Sequence, residues 1–218
     1  MTCTRSTKTN RRIRTLCGSV AMLALVLAPT TGARADAKSE TEASRVVRKV
    51  VDEVIAVLSN GELDTEAKRA AVENIAKQNF DFPVITRLVL ARNYKKLSEA
   101  QRSEFIAEFQ RYLSLTYGRR VDSYSNQSIE ISESKSHKNG DVTVDTKLIG
   151  GQVDGVIVAY RMRGKNGTWR AIDVIVEGVS MIANFRSQIR EIVSSKGADQ
   201  LIATLREKNE RDEAAATP

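Results

Sequence analysis

Asp173 is the residue of this chain whose type and position best suit acid–base chemistry. It interrupts the run 169–176, whose apolar and β-branched residues are typical of a buried strand. A carboxylate among apolar side chains can act as a general base, and Glu177 and Arg186 lie close to it in sequence. A catalytic acid needs a partner, and none is evident, which favours a structural role. Asp173 then either faces outward or pairs with an arginine such as Arg186.

Histidine and cysteine are too scarce to build other familiar sites. His137 is the only histidine, and the polar stretch around it is typical of a solvated loop. Both cysteines, Cys3 and Cys17, precede residue 36. Such a set cannot form a zinc site, a serine triad or a cysteine–histidine pair, and there is no glycine-rich phosphate loop. We therefore predict no metal, no cofactor and no catalytic residues, and hence a protein that is not an enzyme.

The start of the chain has the parts of a cleavable export signal in the usual order. Arg11 and Arg12 precede the apolar run 16–28, and Ala35 closes an Ala-x-Ala site in front of Asp36. The run is shorter than the roughly 20 apolar residues of a membrane span. We predict cleavage between Ala35 and Asp36 and export to the periplasm, with the Sec and twin-arginine routes both open.

The charge balance changes at this predicted cleavage site. Residues 1–35 hold six of the 34 basic residues and no acidic residue, so 28 basic and 27 acidic residues remain in 36–218. The near-neutral remainder argues against a nucleic-acid-binding face. It also contains no cysteine, which fits an exported protein without disulfides. We predict a signal peptide over 1–35, a folded domain over 36–210 and a disordered tail over 211–218.

Apolar residues recur at helical spacing through the first half of the folded domain. This period predicts amphipathic helices over 44–58 and 64–78 and a short buried helix that begins at Pro83. Ser98 and Gln101 form a capping box, which predicts a longer helix after them.

From residue 126 the apolar period falls to two, which predicts strands. Turn dipeptides separate the apolar runs: Asn139-Gly140, Gly150-Gly151 and Asn166-Gly167. Such pairs are hairpin signals, so we predict an antiparallel meander of four strands. After a turn at Glu177-Gly178, a helix from Ser180 ends near Gly197, and a last helix follows.

The apolar residues on one face of these strands and helices are candidates for the lining of a ligand pocket. Alternation selects them in the strands, and i, i+4, i+7 spacing selects them in the helices. An ordinary packed core has the same sequence pattern. The candidate lipid-binding residues are Phe105, Phe109, Tyr112, Leu113, Val142, Val144, Val156, Val158, Tyr160, Ile172, Val174, Val176, Val179, Ile182 and Phe185.

Two blocks of sequence resemble the MlaC family, the periplasmic phospholipid-binding proteins also called toluene-tolerance proteins. The first block is the run 80–118, with its Phe-Asp-Phe start. The second joins Trp169 and Asp173 to a Glu-Gly-Val-Ser segment and to Phe185-Arg-Ser-Gln. The resemblance covers roughly residues 44–208. Ala91 stands where the family usually has glycine, a departure that we expect to affect local packing.

The resemblance implies an α+β fold, NTF2-like or cystatin-like, in which a four-stranded antiparallel meander carries six or seven helices on its concave face around an apolar pocket. It implies a carrier that shuttles phospholipid between an outer-membrane lipoprotein complex and an inner-membrane ABC transporter with its substrate-binding ring protein, and so maintains outer-membrane lipid asymmetry. Three alternatives stay open: a hopanoid-associated lipid carrier, a small NTF2-like enzyme using Asp173, and a protein–protein adaptor whose interior is simply packed.

Overall fold

A computed structural model describes residues 31–118, 124 and 126–215, with side chains from residue 42 onward, all within one compact unit. The α-helices of this part are α1 (Thr31–Ser59), α2 (Thr65–Asn79), α3 (Phe82–Leu90), α4 (Glu99–Gly118) and α5 (Met181–Ala214). Two short 3₁₀-helices span Ala91–Lys96 and Gly151–Val153. Most of the predicted signal peptide lies outside the described residues, so the cleavage site stays a prediction.

The described sheet is an antiparallel meander of five strands in the order β1-β2-β3-β4-β5. The strands are β1 (Ser128–Ser136), β2 (Val142–Ile149), β3 (Ile157–Lys165), β4 (Thr168–Val176) and β5 (Val179–Ser180). The antiparallel meander confirms the prediction, but the count of four strands is wrong by one. The turn at Glu177-Gly178 returns the chain onto β4 for two residues before α5 begins, because both turn residues have positive φ, 48° and 78°.

The helix count also differs from the six or seven predicted, because the chain from Met181 to Ala214 is a single helical run with a kink. Gly197 forms the kink with φ 84° and ψ 179°, at the place where the sequence predicts a boundary between two helices. Glycine adopts this conformation without the steric cost that a side chain would bring. The helix continues four residues into the predicted disordered tail, and residues 216–218 lie outside the described part.

Helix α1 crosses one face of the sheet and contacts β1 to β4. The residues buried between them form what we call the sheet core: Ala43, Val47, Val51, Val142, Val144, Met162, Trp169 and Ala171. The Trp169 ring packs against Gly164, its cross-strand partner, where an added Cβ would stand 2.9 Å from two ring carbons. A glycine is therefore required opposite this tryptophan.

Helices α3, α4 and α5 pack against one another and bury a second cluster, the helical core. Its members are Phe82, Ile85, Val89, Leu90, Leu97, Phe105, Phe109, Ile182, Phe185, Ile189, Val193, Leu201 and Ile202. Helices α3 and α5 meet the sheet mainly at β4. Helix α1 thus covers one face of the sheet, and the helical layer meets the sheet mainly at β4.

Candidate functional site

Asp173 holds the start of α5 against β4. Its side chain is buried, accepts a hydrogen bond from the Ser180 hydroxyl at 2.5 Å and accepts another from the backbone N–H of Ile182 at 3.1 Å. Ser180 in turn caps the helix by accepting the N–H of Ala183 at 3.1 Å. A carboxylate beside the first N–H groups of a helix is stabilised by them and by the helix dipole. The contacts of Asp173 support the structural role that the sequence favours.

The proposed pairing of Asp173 with Arg186 does not occur in this geometry. The Arg186 guanidinium donates instead to the backbone carbonyl of Leu88 at 2.9 Å, which ties α5 to the last turn of α3. Nor does Asp173 face outward, since it is 6% exposed. The tertiary arrangement of β4, α3 and α5 decides both contacts, and no local pattern of residues predicts it.

Glu177 fixes the tip of the last hairpin to the neighbouring strand. Its carboxylate accepts the backbone N–H of Ile157 at 2.6 Å, and its own N–H donates to the Ile157 carbonyl at 3.0 Å. A substitution of Glu177 therefore disturbs the junction between β3, β4 and β5. Its contacts give it a structural role at the hairpin tip.

The Phe-Asp-Phe segment joins the sheet to the helical layer. Phe80 forms a bridge with Ala171, and the N–H of Asp81 donates to the Ala171 carbonyl at 2.9 Å. The Asp81 carboxylate caps α3 by accepting the N–H of Val84 at 3.0 Å. Phe80 packs against both the sheet core and the helical core. This motif is the main physical link between the two clusters.

The segment after α3 builds a cation–aromatic stack. The guanidinium groups of Arg87 and Arg102 lie 5.1 and 4.4 Å from the ring centre of Tyr94, and Arg102 also donates to the Tyr94 carbonyl at 3.1 Å. Ala91, where the resemblance predicts glycine, has φ 49° and ψ −120°. A side chain is strained in that region, so the family's glycine has a clear physical reason here.

The end of the sheet near the β1–β2 turn contains a polar network that the sequence did not predict. Asp141 is 1% exposed and receives two hydrogen bonds from Arg163, at 2.6 and 2.8 Å, and one from Asn139 at 2.9 Å. Burial alone would raise the pKa of Asp141, but these bonds outweigh it and the pKa lies below its usual range. His137, predicted as a solvated loop residue, is half-buried and shares a hydrogen bond with Thr143 at 2.7 Å.

The strand register tests which sheet candidates share a face, because directly paired residues point to the same side. Val142 pairs with Met162, Val144 with Tyr160, Tyr160 with Val174 and Val158 with Val176. We call this side the apolar face. It carries the predicted lining residues Val142, Val144, Val158, Tyr160, Val174 and Val176.

Ile172 does not follow the alternation that the sequence analysis assumed. Arg161 pairs with Asp173 whereas Met162 pairs with Ala171, so Ile172 is an extra residue in a β-bulge. The apolar face of β4 therefore consists of Trp169 and Ala171 before the bulge and of Val174 and Val176 after it. The grouping of Ile172 with Val174 and Val176 is wrong, since a bulge is a feature of strand pairing.

The fifteen candidates do not form one cluster. Phe105, Phe109, Ile182 and Phe185 are buried in the helical core, with Tyr112 and Leu113 packed against it. Val142 and Val144 are buried in the sheet core, with Tyr160 packed against it. The exposure of the remaining sheet candidates on the apolar face increases toward β5. Val158 and Val174 are half-buried, Val176 is 46% exposed and Val179, on β5, is 64% exposed. Val156, half-buried, precedes β3.

The apolar face thus has two different halves. Helix α1 seals the half around Val142 and Val144. The half around Val158 and Val176 remains accessible. Burial raises the pKa of the Tyr160 phenol, which lies between the two halves and stays protonated at neutral pH. A sealed half followed by an open apolar half is an arrangement that can take up an apolar ligand.

Two depressions elsewhere on the described surface differ from the apolar face in their lining. Open depressions on α1 and near the end of α5 are lined mainly by charged residues and include none of the fifteen candidates. No helix within the described residues is long and apolar enough to cross a membrane.

The sequence of this chain matches a known protein family. A family model described as MlaC protein matches residues 48–207, which is most of the chain. The chain belongs to the MlaC family. Both sequence blocks that resemble the family lie inside the matched range.

Two curated relatives of the MlaC family match about half of the chain. This chain is 31% identical over 125 residues to the intermembrane phospholipid transport system binding protein MlaC of Haemophilus influenzae, and the alignment covers 55% of this chain and 58% of the relative. It is 26% identical over 130 residues to the toluene tolerance protein ttg2D of Pseudomonas putida, covering 59% and 60%. The matches therefore span less than two thirds of either relative.

A solved structure shows the same fold. The phospholipid-binding protein from Ralstonia solanacearum, determined in complex with a phospholipid, superposes with a TM-score of 0.71 at 20% identity. The superposition covers 78% of this chain and 98% of the other. The α+β architecture of this MlaC-family chain is thus shared with a protein of distant sequence.

Proposed function

We propose that this MlaC-family chain is a periplasmic carrier that binds a phospholipid by its acyl chains and moves it between the two membranes, so maintaining outer-membrane lipid asymmetry. The observation that carries the proposal is the open half of the apolar face, from Val158 and Val174 to Val176 and Val179. An elongated apolar ligand would cover these side chains, and the charged groups of its head would remain in water at the exposed end. The names of the two relatives and of the structural neighbour support the ligand class.

The energetics of the cargo explain why such a protein needs no catalytic group. Each buried CH₂ contributes ~0.8 kcal/mol, so two acyl chains exposed to water cost on the order of 20 kcal/mol. A dry apolar surface removes most of that cost without forming or breaking a bond. The acidic residues of the signature, Asp173 and Glu177, are used for folding contacts, in agreement with this role.

The partners proposed are those that the family resemblance implies. One is an outer-membrane lipoprotein complex, and the other is an inner-membrane ABC transporter with its substrate-binding ring protein. The predicted export signal supports a periplasmic site of action between them.

Organic extraction of the purified protein followed by mass spectrometry tests the proposed function. Phospholipid in about equimolar amount is the expected result. Hopanoid in its place would assign the protein to a hopanoid-associated carrier. Extracts without lipid, from a protein that also takes up none from phospholipid vesicles, would overturn the proposal and favour an adaptor with a packed interior.

A further inference from the structure

Basic residues gather at one end of the sheet, on the face opposite the apolar face. The register places them there: Lys135 pairs with Thr143 and Thr143 with Arg161, while Arg163 pairs with Arg170. Lys165 is the last residue of β3 and pairs with Thr168, and Lys138 lies in the turn between β1 and β2 at the same end of the sheet. We call this set the basic face: Lys135, Lys138, Arg161, Arg163, Lys165 and Arg170.

Few acids compensate the basic face. Asp141 is buried beneath it and forms ion pairs with Arg163 and, at 3.2 Å, with Arg161. The negative charge of Asp81 also stabilises the Arg163 cation. Asp173 stands opposite Arg161, but it is buried and accepts its hydrogen bonds from Ser180 and Ile182. The next row of the sheet holds Glu133 and Asp145, which pair with each other. Residues 36–218 carry a net charge near +1, so the basic face concentrates cations that acids elsewhere on the chain balance. The near-neutral total argues against a nucleic-acid-binding face, but it does not reveal how the charges are distributed over the two faces of the sheet.

This concentration is unfavourable for folding. Arg163 stands directly opposite Arg170, and like charges in a cross-strand pair are destabilising. Among the side chains that the structure describes, Arg170, Lys135 and Lys165 are exposed and take part in no ion pair. An external anionic partner would compensate all three.

We propose that the basic face docks the protein onto the surface of an anionic lipid bilayer when cargo is exchanged, an inference that rests on the proposed function. The basic face is formed by strand and turn residues, and Trp169, the aromatic residue of the same strand ends, lies buried on the opposite face. Protein interfaces draw most of their affinity from buried aromatic and apolar anchors, which the basic face lacks. Adsorption to anionic head groups requires only clustered cations and so fits better than an acidic protein.

Vesicle sedimentation tests this proposal with the full-length mature protein. Vesicles of phosphatidylcholine alone are compared with vesicles containing phosphatidylglycerol, at low and at high ionic strength. The test variant combines Lys135→Gln, Lys165→Gln and Arg170→Gln, and it leaves the Asp141 network intact. Each cation near an anionic surface contributes about fivefold in partitioning, so the triple variant is expected to bind phosphatidylglycerol vesicles about 100-fold more weakly. Salt should weaken the binding of the wild type.

A control variant removes the same charge elsewhere, through Arg48→Gln, Lys95→Gln and Lys196→Gln. These exposed residues lie on α1, in the 3₁₀-helix after α3 and on α5. Retained binding in the control and loss in the test variant support the basic face. Two results would overturn the proposed docking to a bilayer and leave an acidic protein as the partner. One is an equal loss of vesicle binding in both variants, and the other is a wild type that does not bind phosphatidylglycerol vesicles at low salt.

Bound lipid, measured on the same samples, separates this inference from the proposed function. Lipid-loaded protein that does not bind vesicles refutes the docking surface alone. Protein that never contains lipid refutes the carrier function, whatever the vesicles show.

Discussion

Val158→Asp is the substitution that best separates a ligand-binding surface from a packed core. Val158 lies on the apolar face, half-buried, opposite Val176. The matched control is Val142→Asp, on the neighbouring strand β2, which lies on the same face in the sealed half and is 1% exposed. The two variants introduce the same charge on the same side of the sheet, so they differ mainly in what covers the side chain.

The expected magnitudes follow from that difference. A carboxylate at position 142 would be buried without a partner, at a cost of several kcal/mol in a protein whose total stability is about 5–15 kcal/mol. At position 158 the carboxylate reaches water in the lipid-free protein, so a loss of about 1 kcal/mol is expected there. Against an acyl chain it would be desolvated, and even a ~3 kcal/mol penalty weakens lipid binding by more than 100-fold.

Urea unfolding followed by circular dichroism gives the stability, and mass spectrometry of extracts gives the bound lipid. We expect Val158→Asp to unfold cooperatively near the wild-type midpoint but to contain no lipid, and Val142→Asp to be largely unfolded. Val158→Leu should fold and keep its lipid. If Val158→Asp folds and retains a full complement of lipid, the open half of the apolar face is not the binding surface. If it unfolds as Val142→Asp does, the face is packed core throughout.

Four further substitutions test individual contacts by urea unfolding. Asp173→Ala should lower the free energy of unfolding by about 2–4 kcal/mol, because the buried N–H of Ile182 and the Ser180 hydroxyl both lose their acceptor; an unchanged stability would refute this role of the carboxylate. Ala91→Gly should raise stability by about 1 kcal/mol, since relief of positive-φ strain exceeds the entropy cost of glycine, and a loss would show that the strain is absent. Gly164→Ala should cost about 1–3 kcal/mol through its clash with the Trp169 ring, so a neutral result would show that the ring moves freely. Asp141→Asn should remove a stabilisation present above the unfolded-state pKa and lost as pH falls through the lowered folded pKa; a pH-independent difference between variant and wild type contradicts the pairing.

The elements that the sequence predicted are those with local signals. The reciprocal hydrogen bonds of Ser98 and Gln101 confirm the capping box, at 2.8 and 3.2 Å. The Asn166-Gly167 pair forms the predicted tight turn, because both residues have positive φ. These features depend on residues within four positions of one another, where side-chain chemistry and backbone geometry are directly coupled.

The features that the sequence did not predict depend on pairing between distant segments. The bulge at Ile172 reverses the alternation of β4, and nothing in the residue types marks it. The two-residue β5 is too short to give a pattern of its own. The pairing of Arg163 with Asp141 and its position opposite Arg170 follow from the register of three strands. The net charge of the chain therefore gives no sign that basic residues gather on one face of the sheet, because that grouping arises only from strand pairing.

The polar residues of the two signature blocks have a common purpose in the fold. Asp81 joins β4 to α3, Asp173 joins β4 to α5, and Glu177 joins the last hairpin to β3. Each acid thus acts at a junction between the sheet and its neighbours, where a shift of one element would change the spacing between the apolar face and the helical core. Apolar contacts are non-directional, so they do not by themselves select a ligand. The selectivity of such a protein depends on the spacing between the apolar face and the helical core. The acids therefore serve lipid binding indirectly, and a signature variant such as Asp173→Asn should change bound lipid only to the extent that it changes the stability of the junction.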